Sequence, residues 1–286
     1  MAGYVLFTDS ACDILPEKLA AWNVQMIPLA FLFTDTGKEQ KDHEEPIEEF
    51  YKYMRAGRVA KTSCVNEEAF KNAFTPVLEA GQDILYLGFS SGLSATCENG
   101  KKVADALAKK YPERTIKAID SLAASAGEGL LLYLAVRNRD NGMTLEENAA
   151  AIEKDILHIC HWFTVDDLVY LKRGGRISAA TALLGTALNV KPVMHVDNEG
   201  HLIKVTQVHG RKKSIRRMAE KLGETILPDS PVFISHGDCI EDAEMLKDIL
   251  KKEYGKEVQL ITFVGSVIGA HSGPGTLALF FRGTER

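Results

Sequence analysis

Short apolar runs alternate with amphipathic stretches through the first half of the chain. The runs YVLF, VQMIPLAFLF (residues 24–33), DILYLGF and TIKAID have the length and composition of buried strands. Between and after them, PEKLAAW, PIEEFYKYMRAG, NEEAFKNAFTPVLEAG, a long stretch to Lys110 and GEGLLLYLAVRNRD follow the helical period. Asn66 is the predicted cap of the third of these helices. Alternation of this kind predicts a parallel sheet with helices on its faces.

The pattern changes near residue 150. Thr144 and Glu147 form a capping box that begins one more helix. Beyond it, HWFTV, KPVMHVD and HLIKVTQV read as strands joined by a helix and an NEG turn, so the sheet is partly antiparallel. PVFISHGD, the helix EDAEMLKDILKKEYG, EVQLITFV and TLALFF complete a second α/β unit. We therefore expect an α/β fold with one domain over residues 1–150 and a second over residues 151–286.

Composition and charge narrow the class of protein. The formal net charge of −5 argues against a nucleic-acid partner. Five widely spaced cysteines are typical of reduced thiols in the cytosol. The start of the chain does not resemble a signal peptide, and no apolar run is long enough to span a bilayer. We expect a soluble cytoplasmic protein.

One motif suggests a serine hydrolase. Gly88–Gly92 matches G-x-S-x-G in a strand-to-helix turn, and Ser90, Asp120 and His271 follow the chain order of an α/β-hydrolase triad. No HGG-type oxyanion segment precedes the serine. A serine esterase or thioesterase that uses Ser90 and His271 is therefore the alternative function.

Hydroxyl side chains recur where predicted strands end or helices begin. They are Ser10, the pair Thr62 and Ser63, Ser91 in the G-x-S-x-G turn, and Ser121. In open parallel sheets, ligands bind beyond the carboxyl ends of the strands, where helix N-termini present free N–H groups. These loops predict a shared polar site for a carboxylate or phosphate; alternatively, each serine only caps its helix.

The second half of the chain contains two glycine-rich stretches. Arg173 and Arg176 flank Gly174-Gly175, where they either hold an anion or lie near a helix C-terminus. His271 lies in a predicted loop before the last strand, as a donor, an acceptor, a base or a structural residue. The cluster HICH, residues 158–161, lacks a fourth ligand, so we expect no metal site.

Taken together, seven segments resemble the DegV family, bacterial proteins that bind long-chain fatty acids. The segments are TDSACDI, KTS, SSGLSAT, DSLAASAGEG, FTVDDLVYLKRGGRIS, LNVKPV and GAHSGPGTLALFF, and they span nearly the whole chain. The resemblance implies an N-terminal three-layer domain with a parallel sheet, a C-terminal α/β domain with a mixed sheet, and one acyl chain buried between them.

The resemblance also implies the site residues. Thr62 and Ser94 stand where the family holds the fatty acid carboxylate, with Ser63 and His271 as neighbours. Ser10, Ser91, Ser121 and Arg173 are further candidates. Ala95, Cys64-Val65-Asn66 and Cys12 depart from the usual family pattern. These departures leave the carboxylate donors in place but bear on the preferred acyl chain.

Family members act as the acyl-carrying subunit of a fatty acid kinase, which implies a partner for this chain. The sequence has no Walker A lysine loop and no Mg²⁺-binding set, which also disfavours a phosphate- or nucleotide-binding enzyme. We expect a lipid-binding protein rather than an enzyme, with no cofactor besides the bound fatty acid. It would present that fatty acid to an ATP-binding kinase subunit that feeds phospholipid synthesis.

Basic residues suggest how such a partner docks. Arg173, Arg176 and Arg211 are candidates for contact with an acidic partner or, transiently, with an anionic membrane surface. The alternative is a solvated helix face with no partner.

Overall fold

The computed structural model describes residues 3–178 and 189–286. Its strands are β1 (Tyr4–Asp9), β2 (Val24–Ile27), β3 (Ala30–Phe33), β4 (Glu39–Lys41), β5 (Ala60–Ser63), β6 (Asp83–Gly88), β7 (Ile116–Asp120), β8 (Ile159–Thr164), β9 (Val190–Val196), β10 (Leu202–His209), β11 (Val232–His236), β12 (Leu260–Phe263) and β13 (Leu277–Arg282). Its helices are α1 (Pro16–Ala21), α2 (Ile47–Arg55), α3 (Glu67–Glu79), α4 (Thr96–Lys110), α5 (Ala126–Asp140), α6 (Leu145–Asp155), α7 (Val169–Arg173), α8 (Arg211–Thr225), α9 (Ile240–Tyr254) and α10 (Ser266–Ser272).

The predicted parallel sheet is present in the first half. Its strand order is β2-β1-β6-β7, and all three pairings are parallel. Because helices cover both faces of such a sheet, its central strands are largely apolar, and in β6 residues 84–88 are all buried. The carboxyl ends of these strands therefore meet at one edge.

The single strand predicted over residues 24–33 is wrong. Residues 28–29 interrupt it, and the two pieces enter different sheets: β2 joins the parallel sheet, whereas β3 lies in a three-stranded antiparallel sheet of order β4-β3-β5. Pro28 explains the break, because proline has no N–H for a ladder hydrogen bond. The short strands β4 and β5 were not predicted, since their residues are mostly polar and exposed.

The second half forms the predicted mixed sheet. Its order is β10-β9-β8-β13-β11-β12, with β11 and β12 parallel and the remaining pairings antiparallel. The helix predicted between HWFTV and KPVMHVD corresponds in part to α7. Residues 179–188 of that interval, including the first residue of LNVKPV, lie outside the described residues.

Both predicted helix caps are confirmed. The Asn66 side chain accepts a hydrogen bond from the Ala69 N–H at 2.9 Å. Glu147 N–H donates to Thr144 Oγ1 at 3.2 Å, and Thr144 N–H donates to Glu147 Oε2 at 2.9 Å. These bonds satisfy N–H groups that the first turn of each helix leaves without a partner.

Helix α5 connects the two larger sheets. It contacts β6 of the parallel sheet and β8, β11 and β13 of the mixed sheet. Because it is packed on several sides, residues 130–132 are fully buried. One core cluster accordingly includes residues of both sheets. The strands of the first two sheets end by residue 120 and those of the mixed sheet begin at residue 159, but a domain boundary near residue 150 stays a prediction.

The helices are all modest in length. Within residues 3–178 and 189–286, none is both long enough and apolar enough to cross a membrane.

Candidate functional site

A cavity of about 340 Å³ lies between the mixed sheet and the loops that follow the parallel strands. This volume falls within the range of small-molecule pockets, about 300–1,000 Å³. Most of its wall is apolar and comes from both halves of the chain: Leu29, Phe89, Leu93, Ala124, Phe163, Leu171, Val196, Leu202, Val264, Val267, Ile268, Ala278 and Phe280. The cavity therefore suits a ligand with a long apolar part.

The loops after the parallel strands meet as the strand order requires. Asp9, at the end of β1, accepts hydrogen bonds on Oδ2 from Phe89 N–H at 3.0 Å and from the Tyr86 hydroxyl at 2.8 Å. Asp120, at the end of β7, accepts one on Oδ1 from Ser91 N–H at 3.2 Å. These carboxylates connect the turn after β6 to both neighbouring strands.

Three of the predicted site serines do not line the cavity. The buried Ser10 accepts a hydrogen bond on Oγ from Leu29 N–H at 3.0 Å, and the buried Ser121 accepts one from Ala123 N–H at 3.1 Å. Ser91 is exposed. Ser10 and Ser121 thus hold the backbone of loops, and within the described residues neither accepts a hydrogen bond from the first turn of a helix, which the capping alternative requires.

The hydrolase triad is not assembled. Ser90 is fully buried; its hydroxyl donates to Gly200 O at 2.9 Å and accepts from Gly92 N–H at 3.2 Å. Asp120 accepts from backbone N–H groups, and His271 contacts Thr62. Position 92 requires glycine, because a Cβ there would lie only 2.8 Å from Glu199 O. The G-x-S-x-G pattern in this chain reflects close packing of two turns.

One end of the cavity is polar. Thr62, on β5, and His271, in the last turn of α10, place Oγ1 and Nε2 2.8 Å apart. The expectation of a loop around His271 is wrong, because residues 266–272 form a helix. Its glycine permits close packing: a Cβ on Gly269 would lie 2.7 Å from the Tyr51 hydroxyl. The helix places His271 against β5.

Ser94 lies in the same wall, and Thr96 holds its hydroxyl in place. Its Oγ accepts a hydrogen bond from Thr96 N–H at 3.2 Å and lies 2.9 Å from Thr96 Oγ1. Thr96 Oγ1 also accepts a hydrogen bond from Val65 N–H at 3.3 Å. Thr96 therefore links the serine turn to the segment after β5, so that Ser94 and Thr62 face one cavity.

The polar end opens to the surface. Ser63, Cys64 and Ala95 line the cavity and are exposed, whereas most of the apolar wall is buried. The Ser63 hydroxyl donates to Glu39 at 3.0 Å.

His271 is neutral at physiological pH. Burial, with a smaller contribution from the charge of Arg176, lowers the pKa of His271 to about 4. Its Nδ1 is buried and has no hydrogen-bond partner in the described part of the chain. A Cβ on Gly174 would lie only 2.0 Å from Nδ1, so this glycine leaves room for the ring.

Arg176 supplies positive charge to the cavity. Its side chain is half-buried, and Nε and Nη2 donate to Leu93 O at 3.1 and 2.9 Å. Burial lowers the pKa of Arg176, and no carboxylate of residues 3–178 or 189–286 pairs with it. Arg173 is exposed, lies over the Tyr170 ring at 5.6 Å and is outside the cavity wall. Of the two arginines that the sequence placed near an anion, only Arg176 lines the cavity.

The Arg211 side chain binds other residues of the same chain. Its side chain is 17% exposed, with Nε 2.8 Å from Asp242 Oδ2 and Nη2 donating to Gly275 O at 2.7 Å. Docking by Arg173, Arg176 and Arg211 stays a prediction.

A second polar group lies elsewhere on the wall. Ser125 and Ser235 both line the cavity, and their hydroxyl oxygens are 2.9 Å apart. Ser125 also donates to the buried Asp13. Ser125 lies in DSLAASAGEG, one of the segments that carry the family resemblance, whereas sequence patterns gave no signal for Ser235, which lies inside an apolar strand.

No metal centre is visible around HICH. Cys160 Sγ donates to Glu285 O at 3.2 Å, while His161 Nδ1 lies 3.0 Å from Ile159 O. Across the described ranges, no group of three or more His, Cys, Asp or Glu side chains is arranged to hold a metal.

Comparison with known proteins identifies relatives over the whole chain. A sequence profile described as "Uncharacterised protein, DegV family" matches residues 4–284. A DegV domain-containing protein of Clostridium perfringens is 38% identical over 100% of this chain and 99% of its own. A protein of Thermotoga maritima named "Fatty acid-binding protein" is 32% identical over 98% of each chain.

A solved structure shares the fold. The DegV family protein from Thermus thermophilus, whose structure was described for its fatty acid binding, superimposes with a TM-score of 0.86. It is 27% identical, and the match covers 98% of this chain and 99% of that one.

Proposed function

Because the chain belongs to the DegV family, we propose that it binds one long-chain fatty acid in the cavity and presents the carboxylate to a separate kinase. Fatty acid binding by the relatives from Thermotoga maritima and Thermus thermophilus supports the first half of this proposal. The observation that carries it is an apolar cavity whose one polar end contains a guanidinium without a carboxylate partner among the described residues.

The apolar wall accounts for affinity. Burying a methylene group contributes about 0.8 kcal/mol, so a C16 chain supplies on the order of 10 kcal/mol before the entropic cost of association. Polar groups then need only orient the head group.

The polar end accounts for orientation. Arg176 offers a charge-assisted hydrogen bond to a carboxylate, and the Thr62 and Ser94 hydroxyls offer neutral ones. If His271 carries its proton on Nε2, Thr62 accepts that hydrogen bond and its own proton is free for the carboxylate. His271 would then position Thr62, with Ser63 at the exposed rim.

Exposure of the polar end favours presentation to a partner. A carboxylate held between Thr62 and Ser94 would lie beside exposed Ser63, Cys64 and Ala95, while the acyl chain stays in the buried part. The resemblance to acyl-carrying subunits implies that a cytoplasmic ATP-binding subunit phosphorylates this carboxylate. The chain would act as a lipid-binding substrate carrier and not as the enzyme.

Lipid content tests the first half of the proposal. Native mass spectrometry of freshly purified protein, followed by extraction and gas chromatography, should find one C14–C20 fatty acid per chain. The variant Thr62→Val/Ser94→Ala should lose it, whereas Ser91→Ala, an exposed serine outside the cavity, should retain it. A wild-type protein that stays empty after incubation with fatty acids would refute the proposal.

Acyl phosphate formation tests the second half. The loaded protein, the ATP-binding fatty acid kinase subunit of its own organism and ATP should yield an acyl hydroxamate on trapping with hydroxylamine. Loaded protein that gives no hydroxamate with an active kinase subunit would show that it binds lipid for another purpose.

A further inference from the structure

Ser235 is a second polar point on a wall that is otherwise largely apolar. It lies in β11 and is fully buried; the residue lines the cavity, and its Oγ is 2.9 Å from Ser125 Oγ. Ser125 in turn donates to Asp13, which is also buried. A chain of three polar side chains therefore ends at the cavity.

This point is separate from the polar end with His271. Asp13 Oδ1 accepts a hydrogen bond at 3.0 Å from Gly265 N–H, at the beginning of α10, whereas His271 lies in the last turn of that helix. Ser266 and His271 are five positions apart in the helix, which corresponds to roughly 7–8 Å along the helix axis. Ser235 is connected to the beginning of that helix through Ser125 and Asp13, so a ligand with its carboxylate between Thr62 and Ser94, beside His271, would meet Ser235 part-way along its acyl chain.

The neighbouring strand leaves the Ser235 side chain open to the cavity, although it is shielded from bulk solvent. Ser235 pairs with Ala278 on β13, and Ala278 pairs with Phe163 on β8, so the three side chains form one row across the sheet. Adjacent strands are about 4.8 Å apart, and the middle position of the row carries only a methyl group. Ala278 therefore leaves space in front of the Ser235 hydroxyl.

The Ser235 hydroxyl can form a further hydrogen bond. Since Ser125 uses its proton toward Asp13, Ser235 donates to Ser125 and keeps its acceptor lone pairs. With Asp13 protonated, the direction reverses and Ser235 has a proton to donate. The Ser235 hydroxyl has no other hydrogen-bond partner within residues 3–178 and 189–286. The hydroxyl thus matches an oxygen that can accept or donate.

The backbone at Ser125 is strained at this point. Its φ of 55° and ψ of −148° belong to a region that glycine adopts easily and serine rarely does. Such conformations persist where surrounding contacts impose them, and they occur often at ligand-binding positions.

We propose that Ser235 binds a hydroxyl or oxo oxygen carried part-way along the acyl chain, so that the ligands include mid-chain oxygenated fatty acids. This inference rests on the proposed function, because it takes the carboxylate to lie at Thr62 and Ser94. An unsubstituted fatty acid would leave Ser235 to a water molecule or without a partner.

Titration calorimetry with delipidated protein tests the inference. The probes are stearic acid, a mid-chain hydroxystearic acid and α-hydroxystearic acid, whose hydroxyl lies beside the carboxylate. Wild-type protein should prefer the mid-chain isomer over the α isomer, and Ser235→Ala should weaken binding of the mid-chain isomer about three- to tenfold, the range of one neutral hydrogen bond. Stearic acid affinity should not change in this variant.

Two further variants make the test decisive. Ser91→Ala should keep the preference, and Ser125→Gly, which removes the neighbouring hydroxyl without backbone strain, should reduce it. Equal binding of the mid-chain isomer by wild type and Ser235→Ala would overturn the inference while leaving the proposed function intact. Failure to bind stearic acid itself would instead refute the proposed function.

Discussion

Thr62 and His271 are 209 residues apart in the chain, and their side chains meet at 2.8 Å in the cavity wall. Thr62 belongs to the small antiparallel sheet, and His271 to a helix that directly follows a strand of the mixed sheet. The polar end of the cavity is therefore completed only when the two halves of the chain pack together. A ligand held there contacts both halves and should stabilise their packing.

Gly174 leaves the space that the His271 ring occupies. Gly174 has φ −72°, which alanine tolerates, but its added Cβ would lie 2.0 Å from His271 Nδ1. We expect Gly174→Ala to displace the ring from Thr62 and to weaken fatty acid binding about tenfold, while the protein still folds. Titration calorimetry together with thermal unfolding measures both effects.

The adjacent glycine provides a matched control. Gly175 has φ +73° and open space around its Cβ position, so Gly175→Ala should cost about 1 kcal/mol of stability without touching His271. Unchanged fatty acid binding in Gly174→Ala would mean that His271 does not need its present position.

Hydrophobic periodicity predicted the larger sheets but not the small one. Strands such as β1 and β6 are buried runs bounded by turns, which is the pattern that identifies a strand in a parallel sheet. Strands β4 and β5 are short and mostly exposed, so their pairing depends on β3 and leaves no local pattern. Thr62, a candidate site residue, lies on one of these unpredicted strands.

The site was predictable only in part. Thr62 and Ser94 came from the family resemblance, whereas residue types alone gave several serines of equal standing. Arg173 and Arg176 are three residues apart and chemically identical, and only burial in the folded chain separates the exposed one from the one at the cavity. Contacts between distant segments, such as Ser125 with Ser235, leave no signal in local spacing.

Arg173 provides a matched control for a substitution of Arg176. Removing the half-buried guanidinium in Arg176→Ala should weaken fatty acid binding about tenfold to a hundredfold, the range for hydrogen bonds to charged groups. Arg173→Ala, at an exposed position outside the cavity, should bind normally. Displacement of a fluorescent fatty acid compares the two variants.

A neutral ligand distinguishes the contribution of the Arg176 charge to binding from the contribution of its packing. Binding of the corresponding fatty alcohol should fall much less in Arg176→Ala than binding of the acid. Equal losses for acid and alcohol would show that Arg176 acts through packing of the cavity wall.

Ser90 should be structural. Its hydroxyl joins Gly200 O and Gly92 N–H, so Ser90→Ala leaves two backbone groups without this partner and should cost about 1–3 kcal/mol of stability. Wild-type protein should not hydrolyse p-nitrophenyl esters above background. Turnover that disappears in Ser90→Ala, with an acyl group found on Ser90, would instead establish the esterase function.

Glu128 should make stability depend on pH. It is fully buried in α5; Oε1 accepts a hydrogen bond from the Thr8 hydroxyl at 2.9 Å, and Oε2 has no partner among the described residues. Burial, with a smaller effect of the nearby Asp9, raises the pKa of Glu128 well above its ordinary value of 4.5. The folded protein thus keeps a proton on Glu128 at a pH where the unfolded chain releases it.

Linkage fixes the direction of the effect. Since the folded state holds the proton more tightly, the stabilising contribution of Glu128 is complete below about pH 4.5 and declines as the pH rises. Glu128→Gln has the same shape and does not titrate, so its melting temperature relative to wild type should rise by a few degrees between pH 5 and pH 8. Glu113→Gln, at an exposed position, should show no such rise. An equal difference at both pH values would mean that the folded protein holds Glu128 ionised, with its charge compensated by a group or water bound at Oε2.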